Sequence, residues 1–561
     1  MTNTGSPLNR DGAIDLPDGA SGTLDARSLQ ELAAFGEERV VAAGDVLYRP
    51  GDEFIEFLVV LEGTVDVIRP DVEGESLITT HGAGRFVGEL NLVTGQRAYL
   101  MARVSQPGRV LAIPALEFRR LMHGRPEIAA TIFAALIARR ELLQAGEGAL
   151  AIRIVGSRFS ADAMALRSFA ARARIPHTWI DIEDDDDVDT LLAGVGFQTS
   201  DTPIVITTTG VLRHPTSGDF AEHLGLTFHQ TPGYLFDLVV VGSGPSGLAA
   251  SVYGASEGLD TISLDAVAVG GQAGASSRIE NYMGFPQGIS GEDLAARAAI
   301  QSERLGARLY APCVATGLRA EDGFQVIELA DGSEIPARAV IVASGARYRR
   351  LAVPDLEHFE GVGVYYAATD LEARICTDLP VVVIGGGNSA GQAAIYLAGR
   401  ASHVSLVIRS GDLARTMSQY LIERIDADPN IGVLPDTEVR ELTGAGRLEH
   451  LTLEHVPTAK RRTVACSGLF CFIGAEPATS WLGDVLERDS KGFIVTDRSL
   501  PDSIASGPRF VTRTPLPFET SVPGVFAVGD VRSGSMKRVA AAVGEGSSAV
   551  RSVHEYLTFT V

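Results

Sequence analysis

The feature that most constrains the fold is the stretch from Leu235 to Asp265, LFDLVVVGSGPSGLAASVYGASEGLDTISLD. Its apolar run Leu238–Val241 predicts a buried parallel strand, because a β-branched run without polar alternation suits a strand covered on both faces. A glycine-rich turn follows, and the small residues after it predict a helix. The order of strand, glycines, helix, second strand (Thr261–Leu264) and acidic residue is typical of a βαβ unit that binds a dinucleotide.

The residues of this turn have separate predicted roles. Gly242 allows the tight turn, Gly244 lets the backbone approach a pyrophosphate, and Gly247 lets the helix pack closely against the strand. The N-terminus of the helix offers N–H groups and the positive end of a dipole to the phosphates. Asp265 is placed to hold a ribose diol. The alternative, a glycine-rich surface turn, does not account for the ordered elements around the glycines.

Length and charge limit the remaining possibilities. A chain of 561 residues predicts about three to four domains. Its net charge of −22 disfavours binding to nucleic acid or to an anionic membrane surface. Four cysteines are too few for a disulfide framework, which predicts a reducing, cytoplasmic setting. Residues 1–23 are polar, which predicts a disordered tail, and they lack the pattern of a signal peptide. No apolar run is long enough for a membrane span.

Residues 24–145 contain short apolar runs separated by turns, which predict a β-roll closed by a helix from Pro126 to Leu143. This region resembles the cyclic-nucleotide-binding roll of channels, kinases and transcription regulators. The resemblance implies that Glu89, after Gly88, holds a ribose hydroxyl and that Arg97 pairs with a cyclic phosphate. A structural or protein-docking roll is the alternative, because Glu89 and Arg97 lie closer together than in the family pattern.

Residues 150–231 predict a strand at 151–156, a helix at 161–174, a strand at 177–182 and another strand at 202–207. This order resembles the thioredoxin or glutaredoxin fold, and the resemblance implies a cis peptide bond between Thr202 and Pro203. The region contains no cysteine. Dithiol exchange needs a thiolate, so we expect a docking or spacer module here.

The rest of the chain contains a second glycine-rich turn in PVVVIGGGNSA, where Gly385, Gly387 and Ala390 fill the dinucleotide-motif positions. It also contains the pair Gly529-Asp530. Together with the first turn, these motifs resemble the low-molecular-weight thioredoxin reductases. The resemblance implies an α/β fold with two Rossmann-like domains, preceded by the β-roll and the thioredoxin-like domain. Residues 235–355 and 474–561 would form an FAD domain, and residues 356–473 an inserted NAD(P)H domain.

The resemblance also implies the residues that contact each cofactor. Those for FAD are Gly242, Gly244, Gly247, Asp265, Gln272, Asn281, Gly529, Asp530, Arg538, Val539 and Ala540. Those for the nicotinamide cofactor are Gly385, Gly387, Asn388, Ser389 and Ala390. No metal site is expected.

A pair of arginines favours NADPH over NADH. The predicted strand at 403–408 ends in Arg409, where an NAD-binding fold would keep an acidic residue. Arg409 and the nearby Arg415 are placed to bind a 2′-phosphate, and charge-assisted hydrogen bonds contribute roughly 1.5–3 kcal/mol. The alternative is that both are solvated surface arginines.

One departure from the family concerns its redox-active CxxC motif. Tyr366 and Thr369 stand where thioredoxin reductases have the two cysteines, whereas Asp370, the family's candidate proton donor, is present. Cys313, Cys466 and Cys471 are expected to be small buried hydrophobic residues. The same role is favoured for Cys376, with a catalytic thiol as the alternative.

These observations predict an NADPH-dependent FAD oxidoreductase that passes electrons to its acceptor without an internal dithiol. The acceptor is a quinone, a ferredoxin-type carrier, oxygen or the disulfide of a partner. The alternative is a flavin- or nucleotide-binding sensor with little turnover. We also expect a homodimer, with a cyclic nucleotide at the roll as a regulator.

Overall fold

A computed structural model describes residues 18–52, 56–71, 74–88, 97–145, 151–173, 175–184, 187–228, 233–276, 278–321, 323–368 and 370–559. The chain separates into two units. One contains residues 1–158, 162–229 and 303–312, and the other contains residues 159–161, 230–302 and 313–561. Within the described ranges, no helix has the length and apolar character needed to cross a membrane.

The first unit begins with a six-stranded sheet. Its strands are β1 (Glu37–Val41), β2 (Val46–Tyr48), β3 (Glu56–Asp71), β4 (Gly74–His81), β5 (Phe86–Val87) and β6 (Met101–Pro114). The order is β1-β6-β3-β4, with β2 paired to β6 and β5 to β3. Its helices are α1 (Asp18–Ser21), α2 (Ala26–Leu32), α3 (Ala115–Gly124) and α4 (Pro126–Ala145). The β-roll and its closing helix are therefore as predicted.

The predicted disordered tail differs from the structure at its C-terminal end. Residues 1–17 lie outside the described residues, but α1 follows them directly, and Ala20 and Ser21 in this helix are buried. The buried Arg139 of α4 donates hydrogen bonds to the carbonyl oxygens of Ala20 and Ser21, at 2.9 and 3.1 Å. The helix forms because these carbonyl groups and the apolar Ala20 side chain have partners on the roll.

The second part of this unit is a four-stranded sheet. Its strands are β7 (Ile152–Gly156), β8 (Thr178–Asp181), β9 (Ile204–Thr207) and β10 (Gly210–Arg213), in the order β10-β9-β7-β8. Its helices are α5 (Ala161–Arg172), α6 (Val188–Gly194) and α7 (Ser217–His223). β7 is parallel to β8 and antiparallel to β9, and the Thr202–Pro203 peptide bond is cis. The predicted strands and helix are present, whereas the thioredoxin-like assignment stays a prediction.

The second unit contains the first glycine-rich turn (residues 242–247) at the end of a parallel strand. In chain order the elements of this stretch are β11 (Phe236–Val241), α8 (Pro245–Ser256), β12 (Thr261–Leu264), α9 (Gly291–Arg304), β13 (Arg308–Tyr310), β14 (Ala315–Glu321), β15 (Phe324–Leu329) and β16 (Glu334–Val342). Of these, β13 and the last two residues of α9 fall within residues 303–312, which are counted with the first unit. β11 lies between β12 and β16 and is parallel to both. The βαβ unit predicted from the sequence is therefore present, and its strands run close to the predicted bounds.

A second parallel sheet is inserted before the first one is completed. The elements of this part of the chain are β17 (Ala346–Tyr348), α10 (Leu356–Phe359), β18 (Val364–Tyr365), α11 (Asp370–Ile375), β19 (Pro380–Ile384), α12 (Asn388–Ala398), β20 (His403–Val407), α13 (Gln419–Ala427) and β21 (Ile431–Leu434). Next come β22 (Thr437–Thr443), β23 (His450–His455), β24 (Lys460–Ala465), β25 (Gly468–Cys471), β26 (Ala475–Pro477), α14 (Asp502–Ala505), β27 (Val525–Ala527) and α15 (Val539–Phe559). The inserted sheet has the order β18-β25-β19-β20-β21, and β27 returns to pair with β16.

Candidate functional site

The first glycine-rich turn has no room for side chains at two positions. Gly242 has a φ of +109°, and a Cβ there would overlap the carbonyl oxygen of Ala343. A Cβ at Gly247 would overlap the carbonyl oxygen of Gly242. Only glycine therefore allows both the turn out of β11 and the close packing of α8 against it.

The N-terminus of α8 begins at a glycine and lies close to an acidic side chain. Gly244 is the N-cap residue and makes no side-chain capping bond. Asp265 lies next to the same turn, because its Oδ2 accepts a hydrogen bond from Ser243 N at 2.9 Å. Its Oδ1 accepts from the backbone N–H groups of Val267 and Ala268 at 3.0 and 3.1 Å. These bonds fix the carboxylate beside the turn.

The end of the chain brings Asp530 to this turn. A Cβ at Gly529 would lie 2.5 Å from Ser246 Oγ, so the Gly529-Asp530 segment packs against the start of α8. Gly529 N donates to Glu545 Oε2 at 2.7 Å, and Lys537 Nζ donates to the carbonyl oxygen of Asp530. Burial raises the pKa of Asp530. A half-buried carboxyl close to this turn is suited to accept hydrogen bonds from a polar ligand.

Sequence reasoning did not select Glu545 as a functional residue. Glu545 holds Gly529 and also forms an ion pair with Arg532, with Arg532 Nη2 2.7 Å from Glu545 Oε1. Helix α15 carries Glu545 and approaches α8 closely, because a Cβ at Gly546 would overlap the carbonyl oxygen of Ser246. The only sequence signal was the GEG segment in this helix, which is too short to assign.

The other residues predicted for FAD are exposed or half-buried. Gln272, Asn281, Arg538 and Ala540 are exposed, and Val539 is half-buried at the start of α15. The structure therefore brings together the first turn, Asp265 and the Gly529-Asp530 pair. The placement of Gln272 and Asn281 against a ligand stays a prediction.

The second glycine-rich turn (residues 385–390) repeats the arrangement between β19 and α12. Gly385 has a φ of +135°, and a Cβ there would overlap the carbonyl oxygen of Phe472. Gly387 is the N-cap of α12, makes no side-chain capping bond, and has open space where a Cβ would be. Ser389 and Ala390 follow in the first turn of α12, with Ala390 buried. The N-terminal N–H groups of α12 are thus available to a phosphate.

The two arginines that are predicted to bind the 2′-phosphate follow this turn in the chain. Both lie on the surface of the protein. Arg409 follows β20, and Arg415 lies in the loop before α13. Both side chains are exposed. Neither forms an ion pair with another side chain in the part of the chain that the structure describes. Within these described residues, the charges of Arg409 and Arg415 are therefore not paired with an acidic side chain, which suits a role in binding a phosphate group.

The segment that is predicted to replace the CxxC motif contains an ordered tyrosine. Tyr366 donates a hydrogen bond to Glu360, and its ring is stacked with that of Tyr348. Thr369 lies outside the described residues. Asp370 is the first residue of α11. A β-bridge between Ser276 and Ala368 joins this segment to the loop that follows the first dinucleotide unit.

The four cysteines are all free and buried. Burial raises the pKa of each thiol, Cys313, Cys376, Cys466 and Cys471, to about 12. At neutral pH the thiolate fraction is therefore negligible, and only the thiolate is nucleophilic. The expected role of these residues as small buried hydrophobic groups fits this environment, and the catalytic-thiol alternative for Cys376 does not.

The cyclic-nucleotide residues predicted for the roll are only partly described. Glu89 lies outside the described residues, and Gly88 has a φ of +127°. Arg97 N donates to the carbonyl oxygen of Leu224 at 3.1 Å, and its Nη1 lies 3.5 Å from the carbonyl oxygen of His223. Burial, and secondarily the charge of Arg97, lower the pKa of His223. Arg97 therefore contacts the C-terminal end of α7 in the neighbouring sheet domain.

The residues at the two turns fit the two dinucleotides that the sequence implies. Each turn leads into a helix whose N-cap glycine has no side-chain capping bond. The first turn has Asp265 beside it, which suits a ribose diol, and the second has exposed arginines nearby, which suit an additional phosphate. The two sites therefore differ in charge, with an acidic side chain at the first and basic side chains at the second.

Comparisons with known proteins agree with this arrangement. Residues 236–546 match the family model for pyridine nucleotide-disulphide oxidoreductases, and residues 38–125 match that for cyclic nucleotide-binding domains. The chain is 31% identical to the thioredoxin reductase of Treponema pallidum over 322 residues, which are 57% of this chain and 97% of that protein. It is 33% identical to the thioredoxin reductase of Streptomyces clavuligerus over 322 residues, 57% of this chain and 94% of that protein.

Solved structures give the same result. The thioredoxin reductase of Lactococcus lactis in its FR conformation superposes with a TM-score of 0.52 and 28% identity, over 58% of this chain and 99% of that chain. The thioredoxin reductase of T. acidophilum superposes with a TM-score of 0.51 and 28% identity, over 57% of this chain and 98% of that chain.

Proposed function

The chain belongs to the pyridine nucleotide-disulphide oxidoreductase family, and from this we propose that it is an NADPH-dependent FAD oxidoreductase without an internal dithiol. The observation that carries the proposal is the pair of glycine-rich turns at the ends of β11 and β19, two strands with parallel neighbours in two separate sheets. Each turn leads into an uncapped helix, as dinucleotide binding requires.

The side chains at the two sites indicate which cofactor each site binds. Asp265 and the half-buried Asp530 place carboxylate oxygens at the first site, which we assign to FAD. Arg409 and Arg415 offer positive charge at the second site, which we assign to NADPH. When bound, FAD supplies the chemistry that accepts a hydride from NADPH and releases electrons to a second substrate.

The absence of an internal dithiol separates this enzyme from the thioredoxin reductases that it resembles. Tyr366 and Thr369 occupy the two cysteine positions, and Tyr366 is held by Glu360. The four cysteines elsewhere are free and buried, and burial raises the pKa of each thiol, which disfavours a part in thiol exchange. Electrons therefore leave the enzyme directly for an external acceptor: a quinone, a ferredoxin-type carrier, oxygen or a partner's disulfide.

The proposed flavin site is tested with Asp530→Ala. We expect the wild type to purify yellow, or to turn yellow on reconstitution with FAD, and to oxidise NADPH in a screen of the four acceptor classes. The variant should lose the flavin absorbance while far-ultraviolet circular dichroism shows an unchanged fold. A colourless wild type that FAD does not reconstitute contradicts the proposal.

We further propose that the N-terminal roll regulates this activity. The match of residues 38–125 to cyclic nucleotide-binding domains supports a ligand site in the roll. The contact of Arg97 with the carbonyl groups of His223 and Leu224 supports a route by which a ligand at Arg97 alters the neighbouring domain. That cysteine-free domain acts in this proposal as a docking module.

A further inference from the structure

Three consecutive residues dock the loop that carries the two arginines onto the second glycine-rich turn. We name residues 409–418 the arginine loop. Thr416 Oγ1 donates a hydrogen bond to the carbonyl oxygen of Gly386 at 2.7 Å. A Cβ at Gly386 would lie only 3.3 Å from Thr416 Oγ1, so the missing side chain at Gly386 allows this approach. The loop therefore lies directly on the turn.

The next two residues continue the contact along α12. Ser418 N donates to Asn388 Oδ1 at 2.7 Å, and Asn388 Nδ2 donates to Ser418 Oγ at 2.9 Å. Between them, the buried Met417 packs where a side chain at Gly391 would stand, since a Cβ there would lie 2.9 Å from Met417 Sδ and Cε. Asn388 begins α12, so this end of the loop is joined to the helix N-terminus that we assign to the phosphates of NADPH.

The other end of the arginine loop is fixed by the sheet. Arg409 follows β20, and Ile408 N just before it donates to the carbonyl oxygen of Leu434 at 3.0 Å. Arg415 is adjacent in sequence to Thr416, so the hydrogen bond between Thr416 and Gly386 fixes the position of the Arg415 backbone. Both arginines thus extend from backbone that is already ordered around the turn.

We propose that Thr416 is a positioning residue for 2′-phosphate recognition, and that its bond to Gly386 contributes to the preference for NADPH over NADH. The inference rests on the proposed function. A loop that is ordered before the ligand arrives avoids much of the entropy cost of ordering on binding. Only a ligand with a 2′-phosphate gains from a positioned guanidinium. Loss of the Thr416 bond therefore weakens binding of a 2′-phosphate more than binding of the rest of the nucleotide.

The test compares Thr416→Val, which keeps the shape and removes the donor, with Thr416→Ser, which keeps the hydroxyl. Calorimetry on the full-length, FAD-loaded chain measures the Kd of 2′,5′-ADP and of 5′-AMP. We expect Thr416→Val to weaken 2′,5′-ADP by about 3- to 10-fold, the range of one net hydrogen bond, and to leave 5′-AMP within about two-fold. Thr416→Ser should restore most of the 2′,5′-ADP affinity.

Steady-state kinetics give an independent reading of the same variants. The ratio of kcat/KM for NADPH to that for NADH should fall in Thr416→Val through a higher KM for NADPH, with kcat little changed. Thr452→Val serves as the matched control, because Thr452 bonds to Glu441 in the separate antiparallel sheet of β22 and β23. This control should leave both dissociation constants unchanged.

Specific outcomes overturn the inference. Equal weakening of 2′,5′-ADP and 5′-AMP would mean that Thr416 only supports the glycine-rich turn. Unchanged 2′,5′-ADP binding in Thr416→Val would mean that the bond has no part in recognition. Failure of the proposed function is distinguishable from both, because a wild type that binds 5′-AMP as tightly as 2′,5′-ADP lacks the NADPH site itself.

Discussion

The Tyr366 hydroxyl donates a hydrogen bond to Glu360 Oε1 at 2.6 Å. Arg350 holds the same carboxylate, with its Nε 2.9 Å from Glu360 Oε1. The face of the Tyr366 ring is stacked with Tyr348 at a centroid distance of 6.4 Å and an interplanar angle of 12°. Burial, and then the bond to Glu360, raise the pKa of Tyr366, so its hydroxyl stays protonated. An ordered aromatic side chain thus stands at Tyr366, one of the two positions predicted to correspond to the family's dithiol.

The first prediction is that anaerobic titration of the FAD-loaded protein with dithionite ends at two electrons per chain. FAD accepts two electrons, and a disulfide would accept two more. The buried, free cysteines supply no disulfide for the second pair. The titration is followed by the flavin absorbance, and an endpoint at four electrons would reveal a dithiol that the sequence does not show.

A double variant is the control for this titration. Tyr366→Cys with Thr369→Cys restores the family's spacing of two cysteines. If that segment can approach the flavin, the double variant should take up four electrons, whereas Tyr366→Phe should remain at two. An unchanged endpoint in the double variant would show that the segment has no access to the flavin.

The second prediction separates two glycines of the second turn. Gly385→Ala requires a side chain at a φ of +135° that overlaps the carbonyl oxygen of Phe472, so we expect a loss of stability of several kcal/mol. Gly387→Ala meets no atom within 4 Å at an ordinary φ of −96°. It should keep the fold, with thermal unfolding close to wild type, but should raise the KM for NADPH, because the new methyl group faces the pyrophosphate.

These two substitutions are matched, since each adds one methyl group to the same turn. Thermal unfolding and NADPH kinetics on both variants distinguish a packing role from a binding role. Equal destabilisation of both variants would contradict the assignment of Gly387 to the ligand.

The sequence predicted local structure well and contacts between distant segments poorly. Thr261–Leu264 is a strand over its predicted bounds, because the apolar run and the flanking polar residues define it locally. The bonds of Glu545 to Gly529 and of Thr416 to Gly386 depend on how separate elements pack, and no motif includes both partners. Residues 18–21 were expected to be disordered for the same reason, since their partner Arg139 is more than one hundred residues away in the chain.

The third prediction concerns the buried thiols and pH. Burial raises the pKa of Cys376 and of the other three thiols from 9 to about 12. A pKa that is higher in the folded state means that the thiols' contribution to stability is complete below pH 9 and is lost as the pH rises towards 12. The free energy of unfolding in urea should therefore decrease above about pH 9.

The same burial predicts slow chemical labelling. At pH 8, iodoacetamide should label none of the four thiols in the native protein and all four in guanidinium chloride, as counted by mass spectrometry. Cys376→Ser should reduce the second count to three and leave NADPH oxidation unchanged. Rapid native labelling of Cys376 would instead support a reactive thiol at that position.

The last prediction is that a cyclic nucleotide at Arg97 changes NADPH oxidation. Arg97 donates to the carbonyl groups of Leu224 and His223, where the C-terminal end of α7 carries partial negative charge. These carbonyl groups would repel a cyclic phosphate that binds Arg97. Binding of the cyclic nucleotide and the contact of Arg97 with α7 are therefore expected to weaken each other. A ligand can shift activity only through different affinities for two states, and typical couplings are about 5- to 150-fold.

Calorimetry with cyclic AMP and cyclic GMP tests the first step of this coupling. We expect binding to wild type and a loss of at least about 10-fold in Arg97→Ala, because a charge-assisted hydrogen bond contributes roughly 1.5–3 kcal/mol. Arg109→Ala is the matched control: Arg109 is an exposed arginine of the same roll that pairs with Glu38 and Glu62, and its loss should leave nucleotide binding unchanged.

NADPH oxidation with and without the nucleotide tests the second step. Absence of binding heat in wild type would leave the roll as a docking domain, and binding without a change in NADPH oxidation would remove the regulatory role, because the ligand would then have equal affinity for both states of the enzyme.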